Sequence, residues 1–126
     1  MRIILLIMFT CIAVHGYELN TLTGTYIYDK ELTRKSLELY IVTNNDPIDI
    51  NRFLDNDNTS QYELNGISII YKDAFRTTTY QFKDFVKTED GIFQYRSGSN
   101  YLDILPKNHK ILVAMGQMWI VYKLKE

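Results

Sequence analysis

Apolar and polar residues alternate in short runs along most of this 126-residue chain, and turn-forming residues separate the runs. Over 61–72, QYELNGISIIYK, two such runs meet at Asn65-Gly66. A two-residue loop with φ > 0 at both central positions suits Asn and Gly, and its twist matches two antiparallel strands, so a hairpin is predicted there. Asp90-Gly91 predicts a second tight hairpin leading into a strand over 92–96, and Ser97-Gly98-Ser99-Asn100 a third turn. Strands follow over 101–105, stopped by Pro106, and over 111–115 and 118–124, parted at Gly116-Gln117. In the last of these, Trp119 and Val121, with Lys123 after them, fall on one face; Ile120, Tyr122 and Leu124 fall on the other.

Nearer the N-terminus the pattern is less uniform. Residues 21–28 read as a first strand. In the next segment two periods compete: Asp29 could cap a helix with Leu32, Ser36, Leu39 and Tyr40 on one face, whereas Leu37, Leu39 and Ile41 alternate as in a strand. The thickening of apolar residues towards the β-branched pair Ile41-Val42 favours a turn over 29–35 and a strand over 36–43. Asp46-Pro47 is a helix-start signal, and Ile50, Phe53 and Leu54 share one helical face, so one short helix is predicted near 46–55. After the polar loop 55–60 and the hairpin, 75–87 is most simply one long or bent strand, although Phe82, Phe85 and Val86 also fit a helical face.

Eight or so short strands with closely spaced turns predict a mainly β fold: a single-domain antiparallel meander closing into a small barrel or sandwich. An open meander would expose an edge strand, so closure, or cover by the Pro47 helix, is expected.

Composition adds a compartment. Residues 1–16, MRIILLIMFTCIAVHG, carry one early Arg, an apolar run from Ile3 to Val14 and small residues at Val14 and Gly16. The run is too short for a membrane span, which needs about 20 apolar residues, and it reads as a secretory signal cleaved after Gly16. The expected product is one secreted domain over 17–126, starting at Tyr17, with no span after cleavage. It loses Arg2, His15 and the sole cysteine, Cys11, and keeps 13 basic against 15 acidic residues. That balance argues against a nucleic-acid partner, which would call for a basic surplus on one face. Without disulfides, stability must come from the core and the sheet.

Candidate chemistry is sparse. The domain has one histidine, His109, in a polar turn, so neither a nucleophile–histidine set nor a zinc site can be assembled by motif. Asp55, Asp57 and Thr59 alternate like the first ligands of a calcium loop, but Ser60 stands where the sharp-turn glycine belongs and Gly66 where the bidentate acid belongs. No metal or cofactor is expected. Asn58-Thr59-Ser60 is a formal N-glycosylation acceptor. The tyrosines, Tyr26, Tyr28, Tyr40, Tyr62, Tyr71, Tyr80, Tyr95, Tyr101 and Tyr122, lie mostly in β segments, where cross-strand packing competes with an outward docking surface.

The opening Leu22-Thr23-Gly24-Thr25-Tyr26 resembles the first barrel strand of lipocalin-like and avidin-like proteins over five residues, with Tyr26 where those proteins usually carry Trp. No second motif extends the likeness, and no family is assigned on it.

The expected function is binding rather than catalysis: a secreted, cysteine-free interaction module for an extracellular protein partner, as in an effector acting on host or neighbouring cells. The alternative is a small barrel carrying an apolar ligand. A cavity of a few hundred Å³ lined by apolar residues favours the carrier and a filled core the interaction module.

Overall fold

The computed structural model describes residues 18–54 and 59–126. The leader 1–16, Tyr17, Asp55, Asp57 and Asn58 lie outside the described residues. Nine antiparallel strands form one curled half-barrel sheet: β1 (Thr23–Tyr28), β2 (Gln61–Asn65), β3 (Ser68–Lys72), β4 (Thr77–Gln81), β5 (Val86–Lys87), β6 (Phe93–Ser97), β7 (Asn100–Leu105), β8 (Lys110–Met115) and β9 (Met118–Leu124). Their spatial order is β4-β3-β2-β1-β9-β8-β7-β6-β5. Sequence neighbours pair almost throughout, as expected of a meander, and β1 joins the two halves by pairing with both β2 and β9.

Period-2 alternation carries the core. Tyr26, Tyr62, Leu64, Ile69, Phe93, Leu102, Ile104, Ile111 and Tyr122 point into the curl and are buried, joined by Leu19 from the 3₁₀ turn Leu19–Thr21. Ile120 and Leu124 accompany Tyr122 inside, while Val121 is buried on the outer face, as the alternation in the last strand requires.

Three expectations need correction. Residues 36–43 are not a strand but part of helix α1 (Lys30–Asn44). The Asp29 side chain caps it by accepting from the Leu32 N–H at 2.9 Å. Leu39 and Val42 point into water, so the alternation of Leu37, Leu39 and Ile41 was not a buried face; the face that packs is Thr33 and Leu37, four apart. Beyond the end of β1, Val121 C=O accepts from Asp29 N–H at 2.9 Å and Val121 N–H donates to the buried Thr33 Oγ1 at 3.0 Å. The start of α1 thus continues the ladder that β1 abandons, and fixes the helix on β9.

The short helix α2 (Ile50–Leu54) exists, but Asp49, not Asp46, accepts from its first turn, at the Arg52 N–H. Asp46 instead accepts from the Tyr40 hydroxyl at 3.0 Å. This helix packs on α1, which itself lies on β9 in the middle of the sheet and not at an edge. The half-barrel therefore stays open along a seam between β4 and β5.

Residues 75–87 are not one strand either. The 3₁₀ turn Phe82–Asp84 separates β4 from β5. Phe82 and Phe85 both pack on the core, which a continuous strand would forbid because three positions apart it places them on opposite faces.

Candidate binding site at the barrel mouth

One end of the half-barrel, called the base here, holds the β2–β3 turn, residues 19–22 and the loops 88–92 and 106–109; the other, the mouth, holds loop 73–76, the β8–β9 turn and residues 59–60. The base carries turns, with a cleft of about 360 Å³ beside them among Leu19, Phe82, Phe85, Lys87 and Phe93. Residues 65–68 form the β2–β3 turn, but with Gly66 and Ile67, not Asn65 and Gly66, as its two central residues. Only Gly66 has positive φ, 82°, as in hairpin loops that place Gly first. Asn65 works through its side chain, whose Oδ1 accepts from Ile67 N–H at 2.9 Å and Ser68 N–H at 2.8 Å. At the second hairpin, Thr88 N–H donates to Ile92 C=O around a three-residue loop, with Asp90 exposed and Gly91 in the left-handed region at φ 82°. His109 is exposed and ends the turn Pro106–Asn108 at φ 53°. These residues shape turns and are not brought together into a site.

The mouth is different. Seven of the nine tyrosines considered above, Tyr26, Tyr28, Tyr62, Tyr71, Tyr80, Tyr95 and Tyr122, turn inward; among the strand tyrosines only Tyr101 faces out. Tyr62 meets Tyr122 edge to face at 4.8 Å and Tyr71 at 5.0 Å between ring centroids. Beside them lies a cleft of about 400 Å³, floored by these three rings with Val113 and Ile120, and rimmed by Phe75 and Met115. No sequence signal gathers these residues, because β2, β3, β8 and β9 come together only through β1.

Two of the three hydroxyls have short local partners. Tyr122 Oη and Ser60 Oγ share a buried hydrogen bond of 2.7 Å. The Tyr71 hydroxyl donates to Asp73 Oδ2 at 2.6 Å, and Asp73 Oδ1 accepts from Phe75 N–H at 2.7 Å and Arg76 N–H at 2.8 Å. Asp73 N–H also donates to Arg76 C=O at 3.0 Å, and the Arg76 guanidinium lies 5.2 Å from the Tyr71 ring centroid. Burial, reinforced by the bond to Asp73, pushes the Tyr71 phenol up to about 12. Burial, with the neighbouring Tyr122 next, pushes Tyr62 far above the ordinary phenol range. The Tyr71 hydroxyl and then the Phe75 N–H hold the Asp73 carboxyl below its usual value.

No family model matches the chain, and neither the search of curated proteins nor that of solved structures returns a match. The site must therefore be read from its own chemistry. The shifts move the phenols up and the carboxyl down, both away from neutrality, so at pH 7 the cleft holds neutral phenols and a fully engaged carboxylate. Among the described residues no three His, Cys, Asp or Glu side chains converge where a metal ion could be held, and no helix is long and apolar enough to cross a membrane. What the mouth offers is aromatic and apolar surface beside the polar groups of Thr59, Ser60, Asp73 and Arg76.

Proposed function

We propose that this protein is a secreted binding module that docks a partner protein on the rim of its mouth. One observation carries the reading: the Phe75 ring is 97% exposed on a loop braced by every hydrogen bond that Asp73 makes. Burying a phenylalanine is worth roughly 1.5–3 kcal/mol, and the isolated fold forgoes all of it. A floppy loop would collapse such a ring onto the cleft beside it. This loop instead holds it out, as a preorganised aromatic anchor for an interface. The leader 1–16 supports secretion, and the un-ionised phenols and hydrogen-bonded Asp73 carboxylate of the cleft support binding over catalysis.

The test is capture of a protein from extracellular fluid on the protein recovered from culture medium. Phe75→Ala should weaken capture about tenfold or more, the 1–2 kcal/mol typical of an anchor, at unchanged melting temperature. Capture indifferent to Phe75 would overturn the reading.

A second reading rests on the cleft itself. About 400 Å³ walled by Val113, Met115, Ile120 and three tyrosine rings is the size of a small-ligand site. A carrier would release one equivalent of a small apolar or aromatic molecule on organic extraction, and Ile120→Trp would displace it.

A further inference from the structure

We propose that the cleft at the base is a second binding site, separate from the mouth, which takes a small monocarboxylate: a molecule with one carboxylate group and an apolar body. The proposal does not rest on the interaction reading above, and either can stand without the other.

Three segments distant in sequence build this cleft. Residues 18–20 supply Glu18 and Leu19, residues 82–87 supply Phe82, Lys83, Phe85 and Lys87, and Phe93 opens β6. The break between β4 and β5 gathers the rings. In one continuous strand Phe82 and Phe85 would point to opposite faces, whereas the 3₁₀ turn Phe82–Asp84 lays both against the core. Leu19 and Phe93, only 6% and 5% exposed, form the floor; Phe82 and Phe85 stand half-buried as its walls.

The charges select the head group. Two ammonium groups, Lys83 and Lys87, line the cleft against one carboxylate, Glu18, so the lining holds one positive charge in excess. Asp84, the acid of the same turn, is exposed and does not line the cleft. Lys87 Nζ lies 5.6 Å from the Phe93 ring centroid, which places a cation at the edge of the aromatic floor. Glu18 Oε1 approaches it at 3.8 Å, well beyond the roughly 2.7–2.9 Å of a charge-assisted hydrogen bond, from a side chain 68% exposed. So long and solvated a pair contributes little, and a ligand carboxylate can take the place of Glu18. Lys83 has no hydrogen bond or ion pair among the described residues. At the mouth, by contrast, the one lining cation, Arg76, is balanced by Asp73 at 3.8 Å. Charge therefore directs an anion to the base.

The rings select the body. About 360 Å³ lies at the small end of ligand sites, which run from roughly 300 to 1,000 Å³, and suits a medium acyl chain or a fused pair of aromatic rings. The Glu18 carboxylate marks where the head group sits, beside Lys87 and Phe93, and the body then lies along Phe82 and Phe85.

The test titrates the purified protein with octanoate and with naphthoate, each beside its neutral alcohol, by calorimetry and by amide chemical shifts. Either carboxylate should bind at one equivalent and move the amides of Leu19, Lys83, Phe85 and Lys87; the tighter of the two shows whether the body is acyl or aryl. Lys87→Met keeps an apolar stem over Phe93 and removes the charge, so it should weaken the carboxylates about tenfold and leave the alcohols unchanged. Glu18→Gln removes the competing carboxylate and should tighten them about two- to fivefold. The opposite signs separate a binding role from a structural one, because losing an ion pair that merely braces the turn does not improve binding. Lys83→Met is the second variant should Lys87→Met fold poorly, and it should weaken the carboxylates in the same sense. Failure of both carboxylates to bind, alcohols that bind as tightly as the acids, or weaker binding in Glu18→Gln would overturn the proposal. Binding abolished by Ile120→Trp and indifferent to Lys87→Met would also overturn it, by placing the ligand in the mouth. None of these results bears on capture of a protein through Phe75.

Discussion

The base and the mouth of the half-barrel are made by the same strands, yet their inward positions carry different chemistry. Towards the base, Leu64 and Ile69 are at 0–1% exposure and need no partner but each other. Towards the mouth, Tyr62, Tyr71 and Tyr122 fill as much volume, but two of their hydroxyls are tied to Ser60 and Asp73 near the rim. An aliphatic interior can close completely, whereas a tyrosine interior keeps its polar ends near water and so leaves an opening. The aliphatic pair is sealed, whereas the tyrosine cluster adjoins the cleft of about 400 Å³.

Alkali should separate the two ends most strongly. A folded phenol raised above its unfolded value of 10.0 holds its proton more tightly in the folded state, so its contribution is fully present below pH 10 and is lost as pH rises through the folded value. With Tyr71 at about 12, and Tyr26, Tyr28, Tyr62 and Tyr80 also raised, cooperative unfolding is expected to begin between pH 10 and 12. Tyrosinate absorbance should rise together with loss of far-ultraviolet dichroism. Asp73 has the opposite sign: its folded value lies below 3.8, so its contribution is present above that pH and fades only in stronger acid.

Next in size is the cavity contrast. Ile69→Ala, at a fully buried position, should cost about 2–5 kcal/mol in denaturant unfolding. Ile120→Ala, on a wall already open to the cleft, should cost clearly less; equal losses would erase the distinction between the ends.

Gly66→Val follows. It places a β-branched residue at φ 82°, with a Cβ 3.2 Å from Asn20 C=O, and should cost about 1–3 kcal/mol in thermal melts. Asn65→Asp keeps an acceptor for the Ile67 and Ser68 amides and should be mild.

The smallest effect is expected at the mouth. Tyr122→Phe removes the bond to Ser60 and should cost about 0.5–1.5 kcal/mol, measured by the same unfolding. A loss as large as that of Ile69→Ala would mean that the mouth, too, is a stability element.

The mainly β class and most of β6–β9 were legible in the sequence because short hairpins with Gly at their turns encode local pairing. Pro106 and the pair Gly116-Gln117 mark their strand ends in the chain itself. The helix α1 was misread, for apolar spacing says which residues are apolar but not which of them are buried; Leu39 and Val42 lie in water. The Asn65-Gly66 signal located its turn correctly and missed its phase by one residue. Asn can accept two amides with its side chain as readily as it can adopt positive φ, and composition does not distinguish the two uses.

Alternation, turn residues and charge balance, all local quantities, were thus enough to specify an antiparallel meander without an evident catalytic set. The inward turning of the tyrosines, the cleft over Tyr62, Tyr71 and Tyr122, and the seam between β4 and β5 depend on β1 joining strands some forty to a hundred residues away. Pairings at that separation are fixed by the shared core of the folded sheet, and no short window of sequence contains both partners.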